Sequence, residues 1–167
     1  EPHLPEVIDQ IESSTKPVVA ALPGTALGGG FEIALGSHSR LALSDTRVGL
    51  PEIHLGLIPG AGGTQRLPRL CGAEMALDIM FKGTPISAKV AHAAGLIDHL
   101  VEADLLGAAI AYAGELTQVR RTCEETRGLA DEAAFRVALG AAEQTAYTRM
   151  RGQMAPLQII ACVKATL

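Results

Sequence analysis

Two glutamates and two glycine clusters are the groups in this sequence whose types and spacing could do chemistry. Gly28-Gly29-Gly30 lies between an apolar run and a helical pattern, and Glu32 falls in what would be the first helical turn. Glycines at such a junction let bare backbone N–H groups approach a ligand at the positive end of a helix dipole, where developing negative charge is stabilised. A carboxylate in that turn lies close to whatever the amides bind. Glu52 follows Pro51 in a non-helical turn, with Val48, Ile53, Leu55, Leu57 and Ile58 around it in sequence. Apolar surroundings raise a carboxylate's pKa and fit it to move a proton near neutral pH. Just downstream, Gly60-Ala61-Gly62-Gly63 offers further exposed amides leading into a helix. Taken singly, Glu32 also reads as a helix-start acid and Glu52 as an ordinary surface-loop acid. Two carboxylates with two amide-rich turns read as one acid–base site beside an oxyanion pocket, the core of an enzyme.

Other chemistry is poorly supplied. Neither glycine cluster fits the dinucleotide fingerprint G-x-G-x-x-G, and no G-x-x-x-x-G-K-[ST] loop is present, which disfavours nucleotide hydrolysis. Ser13-Ser14-Thr15-Lys16 matches S-x-x-K by letter alone, without an S-D-N or K-T-G companion. His38, His54, His92 and His99 show no metal-ligand spacing with one another or with a cysteine, so solvated or capping roles are expected and no metal site. Arg66 and Arg69, on the helix after the second glycine turn, are either solvated or meet a phosphate.

The elements that must hold these residues follow from periodicity and breakers. Leu4, Val7, Ile8 and Ile11 recur at helical spacing, and Val18-Val19-Ala20-Ala21-Leu22, closed by Pro23-Gly24, suits a strand buried on both faces of a parallel sheet. The helix after Gly28-Gly29-Gly30 ends at Gly36. Arg40 to Leu43 and Arg47 to Leu50 read as short strands around the turn Ser44-Asp45-Thr46. Helical segments are expected through Arg69, from Ala73 to Phe81 and from Ser87 to Ala94, with Gly95 as a C-cap and Ile97 to Val101 as a last short strand. Beyond Asp104 the chain is Ala-rich and helical in period, with Gln118 to Gly128 a charged interruption.

With 48% hydrophobic and 19% charged residues, a chain of 167 residues can bury a real core. A net charge of −4 argues against general nucleic-acid binding, and 3% aromatics with no Trp supply few stacking platforms. The three cysteines fit neither a disulfide framework nor a zinc site, which points to a reducing, intracellular compartment. The longest uncharged stretch, Pro17 to Phe31, is too short and too broken by proline and glycine to span a bilayer. Glu1-Pro-His-Leu-Pro carries no initiator Met, basic segment or apolar signal core, so no targeting peptide is read there, and the sequence is expected to be cut from something longer.

Ala26-Leu27-Gly28-Gly29-Gly30-Phe31-Glu32, then Pro51-Glu52-Ile53, then Gly56-Leu57-Ile58-Pro59-Gly60-Ala61-Gly62-Gly63-Thr64-Gln65-Arg66-Leu67 resemble the enoyl-CoA hydratase (crotonase) family from Lys16 to about Val101. The resemblance implies an α/β fold, a crotonase-like spiral of ββα units with C-terminal helices. It divides the chain into a hydratase core at 1–117, lacking the family's first segment of strands, and a C-terminal helical region at 118–167. It makes Gly29 an oxyanion-hole amide for a thioester carbonyl, Glu32 and Glu52 the pair that holds water and moves protons, and Gly60 an amide that positions the water. The implied reaction is addition of water to trans-2-enoyl-CoA in fatty-acid β-oxidation, with no bound cofactor and the coenzyme A thioester as substrate. The missing segment carries the second oxyanion amide in the family, so efficient catalysis by this stretch alone is not expected. The wording from Pro17 to Leu70 and Arg120-Arg121-Thr122 is most similar to the hydratase portion of bifunctional enzymes that continue into a 3-hydroxyacyl-CoA dehydrogenase. The partners implied are an acyl-CoA, and either a trimer-based homo-oligomer or the rest of a multifunctional chain. The location is the cytoplasm of a bacterium or an organelle of fatty-acid oxidation. Two alternatives stand beside this reading: a Δ3-Δ2-enoyl-CoA isomerase, which manages with the Glu52 carboxylate, and a non-catalytic acyl-CoA-binding or oligomerisation fragment.

Overall fold

The computed structural model describes residues 2–167. Helix α1 (Leu4–Glu12) precedes β1 (Val19–Leu22), β2 (Thr25–Leu27) and α2 (Gly29–Gly36). A second pair of strands follows, β3 (Ser39–Leu43) and β4 (Arg47–Gly49), and leads through a 3₁₀ turn at Glu52–Leu55 into α3 (Gly63–Lys82). The chain continues as β5 (Ile86–Ser87), α4 (Ala88–Ala93), β6 (His99–Val101), α5 (Leu105–Glu115), α6 (Glu132–Arg149) and α7 (Met154–Lys164).

Two small sheets are built in step. Strands β1, β3 and β6 form one, all parallel, and β2, β4 and β5 form the other, with β4 antiparallel to β5. Each strand–strand–helix turn of the chain therefore contributes one strand to each sheet, and the path is a spiral. The turn Ser44–Thr46 does not fold β3 back on β4; it carries the chain from one sheet to the other. Thr46 Oγ1 donates to the carbonyl of Leu22 at 2.8 Å, which ties this crossover to the equivalent one between β1 and β2.

Strand β2 is not among the elements read from sequence. Its three residues are too few to show alternation, and its pairing with β4, Ala26 beside Val48, is a long-range event. The expected helices through Arg69 and from Ala73 to Phe81 are two limbs of α3, broken at Gly72, whose φ of 81° and ψ of 169° are not helical.

The core sits between the sheets and the helices. Phe31 and Leu35 on α2, Leu50 just after β4, Leu67 and Met80 on α3, and Ile159 on α7 are fully buried in one cluster that also takes in Phe135 and Leu139 of α6. Leu41 packs with Leu105 and Ala109 of α5 in a second cluster. Helix α1 crosses α2 where the latter has Gly36; a Cβ there would collide with Ile8, so the close approach requires glycine.

Candidate active site

Gly28 starts the site because its backbone has φ 53° and ψ −131°, a region that side chains avoid. Its N–H donates to the carbonyl of Gly49 at 3.0 Å, and its carbonyl accepts from Glu32 N–H at 2.9 Å. Gly29 is thus the first residue of α2, where an N–H has no intrahelical partner, and no protein acceptor meets it among the described residues. Leu4 lies over this residue, its Cδ2 2.8 Å from where a Cβ on Gly29 would stand.

Glu32 is 2% exposed, and its Oε1 accepts two backbone bonds of 2.8 Å, from Ala61 N–H and Gly63 N–H. The second glycine turn therefore does not leave all its amides open, as the sequence implies. A buried carboxylate must be met by donors, and the turn before α3 supplies two of them. Gly60, one residue earlier, is exposed, and a Cβ there would meet nothing within 4 Å.

Glu52 opens the 3₁₀ turn behind Pro51 and points back at the first glycine turn, with Oε1 3.1 Å from a Cβ placed on Gly28. Its Oε2 is buried without a hydrogen-bond partner. Burial first, and the charge of Glu32 after it, hold its pKa above the ordinary carboxylate value, against the opposing pull of its own backbone N–H. The structure thus brings Glu32, Glu52 and the two glycine turns together. Two carboxylates, one held by backbone amides and one with an oxygen left unpaired, stand beside the N-terminus of α2.

Sequence reasoning misplaced several side chains. Arg66 is neither solvated nor free for a phosphate: its Nε and Nη2 donate to Glu12 Oε2 at 3.1 and 2.7 Å, and Nη2 also reaches Asp9 Oδ1 at 3.0 Å. Burial pulls the Arg66 pKa down, but the bonds and charges of Glu12 and Asp9 outweigh it and leave it raised. Arg69 donates to the carbonyl of Glu125 at 3.2 Å. Of the two roles expected for His38, solvated or capping, the structure fits the second: the ring is buried, accepting from Val18 N–H at 2.9 Å through Nδ1, and Nε2 stands 3.1 Å from the carbonyl of Glu12, the last residue of α1. Arg40, which local sequence does not distinguish from a surface strand residue, is fully buried, and Nη1 donates to the carbonyls of Ala34 and Ser37 at the end of α2. Among the described residues no group of three or more His, Cys, Asp or Glu could hold a metal ion, and no helix is long and apolar enough to cross a membrane.

Fold and site together define an α/β spiral protein with a carboxylate pair at paired glycine turns. A family model described as enoyl-CoA hydratase/isomerase matches residues 2–147, and the chain belongs to that family. Its fold is the crotonase-like one. It is similar to the peroxisomal bifunctional enzyme of Pongo abelii, with 47% identity over 126 residues, 73% of this chain and 17% of that protein. It is 41% identical over 175 aligned positions to the peroxisomal bifunctional enzyme of Danio rerio, covering 98% of this chain and 23% of the relative. The glyoxysomal fatty acid beta-oxidation multifunctional protein MFP-a of Cucumis sativus is 46% identical over 116 residues, 69% of this chain and 16% of its own. Among solved structures, an enoyl-CoA hydratase from Bacillus anthracis superposes with a TM-score of 0.65 at 31% identity, covering 98% of this chain and 58% of that one. The chain thus spans less than a quarter of the curated relatives it matches and little more than half of the solved hydratase.

Proposed function

We propose that this chain carries the acid–base centre of an enoyl-CoA hydratase, adding water to trans-2-enoyl-CoA thioesters in fatty-acid β-oxidation. The observation that carries the reading is the placing of two carboxylates at the two glycine turns, Glu32 Oε1 on the amides of Ala61 and Gly63 and Glu52 Oε1 3.1 Å from a Cβ built on Gly28.

Gly29 N–H polarises the thioester carbonyl and receives the negative charge that builds on its oxygen. Water sits between Glu32, Glu52 and the Gly60 amide. Glu32, its Oε1 fixed by two amides, takes a proton from the water as its oxygen bonds to C3. Glu52 gives a proton to C2, which its raised pKa suits. Return of the proton from Glu32 to Glu52 resets the pair. The reaction requires no cofactor beyond the coenzyme A that the substrate carries. In this reading residues 1–117 form the catalytic core and 118–167 a helical region packed on it. The names of the relatives support a place within a larger multifunctional chain, in an organelle of fatty-acid oxidation.

In the intact protein, Glu32→Gln and Glu52→Gln should each lower kcat for hydration of a short trans-2-enoyl-CoA by about 100-fold or more, with substrate affinity mostly unchanged. Hydration by Glu32→Gln at the parental rate would replace this reading with a single-carboxylate double-bond shift centred on Glu52. Absence of both reactions in the intact parent would leave acyl-CoA binding alone.

A further inference from the structure

The turn Gly60-Ala61-Gly62-Gly63 holds Glu32 with two amides, yet three of its four residues are glycine and it has little stiffness of its own. Something outside the turn must fix it. Arg66 Nη1 donates to the carbonyl of Ala61 at 3.2 Å, and that carbonyl belongs to the peptide between the two whose N–H groups hold Glu32. The guanidinium lies so close to the turn that a Cβ on Gly62, whose φ is 94°, would collide with Nη1. The other edge of the guanidinium is locked by Glu12, a carboxylate 4% exposed whose remaining oxygen accepts Cys123 N–H at 2.7 Å. A chain of hydrogen bonds thus runs from Glu12 on α1 through Arg66 on α3 and Ala61 to Glu32 on α2. A buried ion pair adds little net stability over apolar side chains of like volume, so geometry is the better account of its presence.

We propose that Arg66, locked by Glu12, is a positioning residue for Glu32, holding the second glycine turn so that Glu32 and the Gly60 amide meet the same water. The catalytic part of this statement rests on the hydratase reading above. Only a guanidinium can do it, because one ammonium cannot span Glu12 Oε2 and the Ala61 carbonyl in fixed directions.

The test is Arg66→Lys in the intact protein, with Glu12→Gln as a second variant should the first fold poorly. Expected is a fall in kcat for hydration of roughly 10- to 100-fold with KM little changed, the size a misplaced catalytic group produces. In a Glu32→Gln background the same substitution should lower kcat no further. Amide hydrogen exchange, followed by NMR, should quicken at Ala61 and Gly63 while the rest of α3 keeps its protection. Asp9→Asn, which removes only the exposed partner of Arg66, should leave kcat as it is. A parental kcat in Arg66→Lys, an undiminished loss in the Glu32→Gln background, an equal loss in Asp9→Asn, or unchanged exchange at Ala61 and Gly63 would each overturn the proposal. An intact parent without hydratase activity would sink the hydratase reading, and the exchange measurement would still decide whether Arg66 holds the turn.

Discussion

Glu32 Oε1 accepts the N–H of Gly63 at 2.8 Å, a bond that joins the first turn of α2 to the first residue of α3. The two motifs that carry the site are consecutive turns of one spiral, and this bond sets the register between them. Because the acceptor is the side chain proposed to take the proton, any change in how the two turns stack is felt directly in its position.

Alanine at Gly63 tests that register. Its Cβ would stand 2.9 Å from Glu32 Oε1 and 3.1 Å from Leu50 Cδ1, and Leu50 is fully buried and has nowhere to move. Glu32 must give way, so Gly63→Ala should lower kcat for hydration by about 100-fold. KM should be nearly parental. Steady-state kinetics with a short trans-2-enoyl-CoA measures both, and a kcat within a factor of two of parent would show that the bond is dispensable.

Gly28 is the corresponding position for Glu52. With φ at 53° a side chain is strained by about 1–3 kcal/mol, and the new Cβ would lie 3.1 Å from Glu52 Oε1. Gly28→Ala should therefore lower the melting temperature and displace the second carboxylate, whereas Gly24→Ala, at a turn where a Cβ meets nothing within 4 Å, should do neither. Calorimetry on the two variants separates them.

Much of this site is legible in sequence because its punctuation is local. Glycine and proline fix turns through their own backbone restrictions, so the helix after Gly28-Gly29-Gly30 and the turn at Pro51-Glu52 can be read from a few neighbouring residues. What holds the site is not local. Glu32 to Ala61, Arg66 to Glu12 and Arg40 to Asp98 are contacts between residues 29, 54 and 58 positions apart, and no pattern at helical or strand spacing encodes them. Arg66 shows the reason most plainly. A polar side chain is expected in water unless its buried partners are known, and here the carboxylates that meet Arg66, Asp9 and Glu12, lie on α1.

Asp98 should anchor the far end of α2. Its Oδ2 accepts Arg40 N–H at 2.8 Å and stands 3.2 Å from Nη2 of the fully buried Arg40 side chain, while Oδ1 meets Arg120 at 2.5 Å. Burial would raise its pKa, but Arg40 and Arg120 outweigh that and hold it below the ordinary value. A depressed carboxylate pKa adds stability that is present above the ordinary value of 3.8 and lost as pH falls through the folded value. Asp98→Asn leaves Arg40 as an uncompensated buried charge and should cost about 3–5 kcal/mol at neutral pH. The gap between parent and variant should narrow in acid, which denaturant titrations at several pH values would measure; a gap that stays constant with pH would show that the Asp98 charge is not what stabilises the fold.

Glu52 has the opposite sign. Its pKa is raised above 4.5, chiefly by burial, with the charge of Glu32 adding to the effect. Between the ordinary and the raised value the folded state binds more protons than the unfolded one, so this group makes stability fall as pH rises through that window. Glu52→Gln removes both the ionisation and the window. The variant should therefore melt at a higher temperature than the parent at neutral pH, and the two should converge as pH falls toward 4.5. The same raised pKa shapes the reaction: if the protonated form gives the proton to C2, kcat for hydration falls on the alkaline side as Glu52 ionises. Glu32→Gln deletes one of the causes of the shift, so a titration of the Glu52 side-chain carboxyl carbon by NMR should move to lower pH in that variant. An unmoved titration would mean that the two carboxylates do not sense each other, and a single shared water between them would no longer follow.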